Sequence, residues 1–168
     1  MIIVQKYGGT SVGTAARIRR VSRRIAATVK QGHQVVAVVS AMGHTTDRLI
    51  ALAQSVNPEP LARELDMLVA NGETITAPLV AMCLQGMGVP AVSLSGLQAG
   101  VRTSAQHSRA RIQDIKPDRI LEICTLVEGR GACRHPDGVV RFVRSGSISA
   151  QTPRPSHATG SRTNSSLQ

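Results

Sequence analysis

The sequence predicts an α/β fold, a partial three-layer αβα sandwich built on a mostly parallel sheet. Short valine- and isoleucine-rich runs alternate with segments whose apolar residues recur at helical spacing. That order is the one expected of parallel strands joined by right-handed crossovers. Hydrophobic residues make up 42% of the 168, enough for a core. Aromatic residues make up only 1%, with a single tyrosine, Tyr7, and a single phenylalanine, Phe142. Val, Ile, Leu and Ala must therefore do the packing, which suits a parallel sheet better than a β-sandwich.

Ile2 to Gln5 reads as the first strand. A glycine turn follows and enters a helix from Ala15 to Lys30, whose inward face is marked by Ile18, Val21, Ile25 and Val29. Gly32 is placed to end that helix in a left-handed cap. Gln34 to Ser40 is the second, buried strand, and Ala41 to Thr46 is the loop after it. Thr45 or Thr46 is expected to cap the next helix, which carries Leu49, Ile50, Leu52 and Ala53. Asn57-Pro58-Glu59-Pro60 breaks it. A helix from Leu61 to Val69, a turn at Asn71-Gly72 and a helix from Thr74 to Gln85 lead to a third strand, Val89 to Leu94. Pro117 to Glu122 reads as a capped helix start. Beyond Gly129-Arg130 the periodicity is lost apart from Val139 to Val143, and from Ser145 onward Ser, Thr, Pro, Gly and Arg dominate. The expected organisation is one domain portion over 1–130 and a disordered tail over 131–168.

The net charge is +10. Arg17, Arg19, Arg20, Arg23 and Arg24 form a basic stripe of the kind that neutralises nucleic-acid phosphates. The apolar residues of the same helix face the core, which leaves the arginines a solvated surface, and the chain lacks aromatic platforms for stacking bases. No nucleic-acid partner is expected. The apolar runs are too short to cross a bilayer and no leader precedes them, so no membrane partner and a cytoplasmic location are expected. Cys83, Cys124 and Cys133 show no paired metal spacing, and Cys133-Arg134-His135 alone does not make a zinc site. Reduced thiols and no protein-bound metal are expected. His33, His44 and His107 lack a Ser or Asp relay, and no Gly-x-Ser-x-Gly is present, which argues against a nucleophilic hydrolase.

The chemistry-bearing stretch is Lys6-Tyr7-Gly8-Gly9-Thr10-Ser11-Val12-Gly13. Glycines without Cβ let backbone N–H groups approach an anion closely, and a helix N-terminus adds a favourable dipole. A lysine beside that cradle supplies the point charge a transferred phosphoryl group needs. The loops after Gln5, Ser40 and Leu94 all fall at the carboxyl edge of the predicted sheet, where open α/β sheets bind ligands.

This octapeptide resembles the opening signature of aspartate kinases, in the amino acid kinase family. Val38 to Asp47 resembles the family's second loop, and Asn71-Gly72-Glu73 the turn whose glutamate lies at the aspartate site. Leu94 to Thr103 resembles a further active-site segment. Departures from the family pattern are Ala70 in place of a serine, Leu97 in place of a tryptophan, and Ser104 in place of an aspartate. The resemblance covers Ile2 to about Glu122. It implies phosphoryl transfer from ATP, with Mg2+, to the side-chain carboxylate of L-aspartate, the first step towards lysine, threonine and methionine. It implies that Lys6 neutralises the transferred group, that Gly8, Gly9 and Ser11 hold phosphate, and that Ser40, Thr46 and Glu73 hold aspartate. A homo-oligomer is compatible with it. Thr46 as a helix cap and Glu73 as an ordinary first-turn glutamate remain open. Kinases of acetylglutamate, glutamate or uridylate, and a basic nucleic-acid-binding module, are the alternatives.

The family continues with a Gly-Arg-Val-Pro-Val-Val-like strand and a later Leu-Gly-Arg-Gly-Gly-Ser-Asp segment. This chain has instead Gly129-Arg130-Gly131-Ala132-Cys133-Arg134-His135. Codons for that stretch exist from which loss of one guanine restores the family strand. The expectation is therefore a frameshift near Arg130 and an inactive, truncated chain.

Overall fold

β-Branched runs form the two strands on which the molecule is built, β1 (Ile2–Tyr7) and β2 (Gln34–Val39), paired in parallel from Ile2↔Gln34 to Tyr7↔Val39. The computed structural model describes residues 1–105, 110–122 and 140–144. A 3-10 turn at Gly9–Val12 joins β1 to α1 (Ala15–Lys30). After β2 come α2 (Thr45–Val56), α3 (Ala62–Thr74), α4 (Thr76–Gln85), β3 (Ala91–Ser93), β4 (Val101–Thr103), β5 (Ile112–Ile115) and β6 (Val140–Arg144). The main sheet has the order β1-β2-β6-β3, all in parallel, and β4 and β5 form a separate antiparallel pair.

α1 follows from its sequence at both ends. Thr14 caps it, its hydroxyl accepting the Arg17 N–H at 3.2 Å, and Gly32 leaves it at φ 80 as expected of a left-handed terminator. Ile18, Val21, Ile25 and Val29 are buried, and they pack with Val80, Ala81 and Leu84 of α4 against Tyr7, Val35, Ala37, Val39 and Ala91 of the sheet. A second tether joins β1 to α1: the Tyr7 hydroxyl donates to Gln5 Oε1 at 2.7 Å and Gln5 Nε2 donates to Thr28 Oγ1 at 2.9 Å.

Strand alternation sends Val4, Val36 and Val92 to the opposite face, in one register row across the sheet. Val36 is buried there, but Val4 is 68% and Val92 43% exposed. One face is thus covered by α1 and α4, and the other is open at its two sides.

The helical region departs from expectation. Asn71-Gly72 is not a turn; α3 runs through it to Thr74, and Ile75, itself in the αR region, leads directly into α4. Gly72 is glycine for packing reasons, since a Cβ there would lie 2.6 Å from Leu49 Cδ1 and 3.2 Å from Thr45 Cγ2 of α2. Joined, Ala62–Gln85 is long and apolar enough to cross a membrane by composition, against the reading of the separate runs, although 44% of its apolar window is buried inside the molecule. The β4–β5 hairpin was not foreseen either. Val140–Arg144, overlapping the Val139 to Val143 stretch in which the periodicity is kept, forms the strand β6 between β2 and β3. The rest of 131–168 lies outside the described residues, as do Cys124, Cys133 and His107.

Candidate functional site

Parallel strands put all their carboxyl ends on one edge, so the loops after β1 and β2 must leave the sheet side by side. They are stitched together. Ser40 N–H donates to the Tyr7 carbonyl at 3.2 Å, and Gly43 N–H donates to the Gly9 carbonyl at 3.1 Å. A Cβ on Gly9 would stand 2.7 Å from the Ala41 carbonyl oxygen, so that position tolerates no side chain. Gly43 takes φ 51, the left-handed conformation that glycine adopts without steric cost. At Gly8 an added Cβ would meet nothing within 4 Å, so the first glycine of the pair opens onto free space. The two glycines therefore do different things. Gly9 permits loop-to-loop contact, and Gly8 leaves the outer side of the turn clear for an approaching group.

The turn itself closes through Ser11 N–H to the Gly8 carbonyl at 2.9 Å. Arg17, read from the sequence as one of a solvated stripe, reaches back from α1 and donates from Nη1 to the Thr10 carbonyl at 2.7 Å. Periodicity gives no signal for that contact, because it depends on the pitch at which α1 leaves the turn. Lys6 and Ser11 are exposed at the lip, and Lys6 projects on the face of the sheet opposite Tyr7.

Glu73 is the inner landmark. Its side chain is only 6% exposed, which for an ionised carboxylate demands hydrogen-bond donors. Two are supplied, one by the loop after β2 and one by the first turn of α2: Ala41 N–H to Oε2 at 3.0 Å and Thr46 Oγ1 to Oε1 at 3.3 Å. The structure thus brings Thr46 and Glu73 together across 27 residues of sequence. It also settles the capping question. The residue before α2 is His44, and neither threonine caps that helix: Thr45 Oγ1 donates to the Met42 carbonyl at 2.6 Å while Thr46 is engaged with Glu73. His44 pairs instead with Asp47, Nδ1 to Oδ2 at 3.0 Å, on the exposed surface.

On its other side Glu73 lines a cavity of about 100 Å3 together with Thr74, Ala77, Pro78, Ser93, Leu94 and Ser95. At about 10–15 Å3 of such space for each water, that is room for several waters or a small polar group. Ser93 and Ser95 finish β3 and begin its loop, so the third strand's carboxyl end also contributes. The sequence pointed to this edge but not to Ala77 or Pro78, whose place depends on how α4 crosses the sheet. Among the described residues no group of three or more His, Cys, Asp and Glu side chains is placed to hold a metal ion.

Residues 1–131 match the amino acid kinase family. The chain is 47% identical over 152 residues to the aspartokinase of Corynebacterium glutamicum, covering 87% of this chain and 36% of that protein. It is 55% identical over 129 residues to the aspartokinase of Mycobacterium tuberculosis, covering 77% of this chain and 30% of that one. The chain therefore spans about a third of the length of the curated relatives it matches. Among solved structures, an aspartate kinase from Synechocystis superposes with a TM-score of 0.62 at 41% identity, over 85% of this chain and 21% of that one. E. coli aspartokinase III, solved with aspartate and ADP, superposes at 0.59 over 84% of this chain and 40% of that one; at 18% identity it bears on the fold alone.

Proposed function

The chain belongs to the amino acid kinase family, and on that premise we propose that it carries the amino-terminal part of an aspartate kinase site. The reaction is transfer of the γ-phosphoryl group of MgATP to the side-chain carboxylate of L-aspartate. One observation carries this reading. Three motifs separated by many residues, the glycine turn, the loop after β2 and Gly72-Glu73, meet at the carboxyl edge of a parallel sheet around a buried carboxylate.

Each group has a task that its position suits. Gly8 leaves backbone N–H groups of the turn open to phosphate oxygens, and Lys6 at the lip offers a compact positive charge to the group in transfer. Ser11 stands exposed beside the same turn as a further donor to phosphate. Glu73, with the cavity beside it, offers its remaining lone pairs to an ammonium group. Ser40, just after β2, and Thr46, in the first turn of α2, flank that position. Glu73 holding the acceptor's ammonium group and Lys6 the group in transfer align the two reactants, and alignment is most of what phosphoryl transfer asks of a protein. Mg2+ arrives with the nucleotide phosphates.

The out-of-frame reading of the segment after Arg130 is a second part of the proposal. Sequencing the codons for Gly129 to Ala132 tests it. The function is tested by joining residues 1–130 to the remaining portion of the C. glutamicum relative and measuring ATP consumption. Saturable turnover with L-aspartate, and none with glutamate, acetylglutamate or uridylate, is expected. Turnover with one of those acceptors and not with aspartate would replace aspartate in the assignment.

A further inference from the structure

We propose that Glu73 is also a positioning residue, a buried latch through which α3 sets the shape of the glycine turn. This rests on the reading of that turn as a phosphate cradle.

The connection is short and continuous. Glu73 accepts the Ala41 N–H at 3.0 Å and the Thr46 hydroxyl at 3.3 Å, so one carboxylate oxygen is engaged by the loop after β2 and the other by the first turn of α2. The carbonyl of the same Ala41 abuts Gly9, where a Cβ would come within 2.7 Å of it. Two residues further on, Gly43 N–H holds the Gly9 carbonyl at 3.1 Å. Ala41 is thus clamped between Glu73 on its amide side and the glycine turn on its carbonyl side. Gly72 lets α3 approach α2 closely enough to deliver the carboxylate there.

The dependence runs both ways. A carboxylate at 6% exposure is costly to hold without donors, and the loop and the first turn of α2 supply them. Without the carboxylate, the Ala41 N–H and the Thr46 hydroxyl lose their acceptor, and the loop is free to draw away from Gly9. The cradle would then lose its backing rather than any of its own residues. Glu73 therefore acts on phosphate binding through the loop, with no contact to phosphate itself.

The 168-residue chain tests this by amide NMR, with inorganic tripolyphosphate as the probe. Glu73→Ala is expected to speed hydrogen exchange at Ala41 about tenfold or more, the effect of losing a charge-assisted hydrogen bond. It should also move the Gly8 and Gly9 amide signals and weaken tripolyphosphate severalfold. Glu73→Gln keeps an oxygen that accepts the Ala41 N–H and should restore all three, which a general loss of packing would not allow. Unchanged Gly8 and Gly9 signals in a folded Glu73→Ala protein would overturn the latch. If that variant does not fold, Gly9→Ala reports from the other side: it must shift the Ala41 to Thr46 amide signals, and unchanged signals overturn the proposal. Tripolyphosphate that fails to bind the unmodified chain would remove the cradle reading, while the Gly8 and Gly9 signals would still judge the latch. Aspartate is absent throughout, so an error in the substrate assignment leaves the result intact.

Discussion

Lys6 and Glu73, the two charged residues of the proposed site, have opposite environments. Lys6 is the last outward-facing residue of an edge strand and stays in solvent, whereas Glu73 is drawn inside by the loop and helix turn that need its oxygens. In an enzyme completed with a relative's remaining portion, Lys6→Ala should lower kcat on the order of 10²-fold or more, as loss of a preorganised charge at a developing transition state does. An unchanged kcat would take Lys6 out of the chemistry. Glu73→Gln should raise the KM for aspartate by about one to two decades, the weight of a charged hydrogen bond, and the KM for ATP far less. Equal changes in both would leave Glu73 a structural role only. Tyr7, the only tyrosine, supplies a pH test. Burial pushes its hydroxyl above the ordinary value of 10.0, and the charge of Arg24 offsets part of the rise. The folded protein then holds this proton more tightly than the unfolded chain, so the stability it contributes is complete below pH 10 and is lost as pH rises through the folded value. Tyrosinate absorbance in the folded chain should appear above the pH at which it appears in denaturant. Coincident curves would contradict the burial of Tyr7.

The elements divide into those whose ends are written locally and those set by neighbours. α1 begins and ends where Thr14 and Gly32 place it, because capping and left-handed termination are local events. α3 is different. Asn71-Gly72 has turn chemistry, yet the helix continues through it, with Gly72 lying against Thr45 and Leu49 of α2. The β4–β5 hairpin has a similar origin. Gly100 takes φ 81 and an added Cβ would fall 1.8 Å from the Lys116 carbonyl oxygen, inside covalent exclusion distance. Gly100→Ala must therefore displace the backbone of one strand or the other, at a cost of at least 1–3 kcal/mol, roughly that of left-handed strain at a non-glycine residue. Denaturant unfolding monitored by circular dichroism should show the loss, and hydrogen exchange should place the greatest deprotection at Val101–Thr103 and Ile112–Ile115. Unchanged stability would mean the two strands do not approach this closely in solution.

At the scale of the molecule, the sheet is covered by α1 and α4 on one face, while Val4 and Val92 lie open on the other. The chain spans 36% of the C. glutamicum relative, and the elements of its proposed site come from the first 78 residues and one short strand end. The 168 residues assayed alone with MgATP and L-aspartate should therefore form no acyl phosphate above the blank. Reactants not fully positioned forfeit much of the roughly 7–11 kcal/mol that orientation supplies. Saturable hydroxamate formation abolished by Lys6→Ala would show that these residues complete the site. The sequence by itself determined the α/β alternation, the first two parallel strands, the bounds of α1 and the glycine turn with its lysine. These follow from periodicity, caps and glycine placement, each read within a few residues. Only the tertiary structure decided that Gly9 serves the loop contact while Gly8 faces open space, that Thr46 serves Glu73 and not a helix cap, and that 140–144 forms a strand in the middle of the sheet. Those outcomes depend on which segments come to lie side by side, and a contact spanning 27 or 32 residues leaves no periodic trace in the chain that makes it.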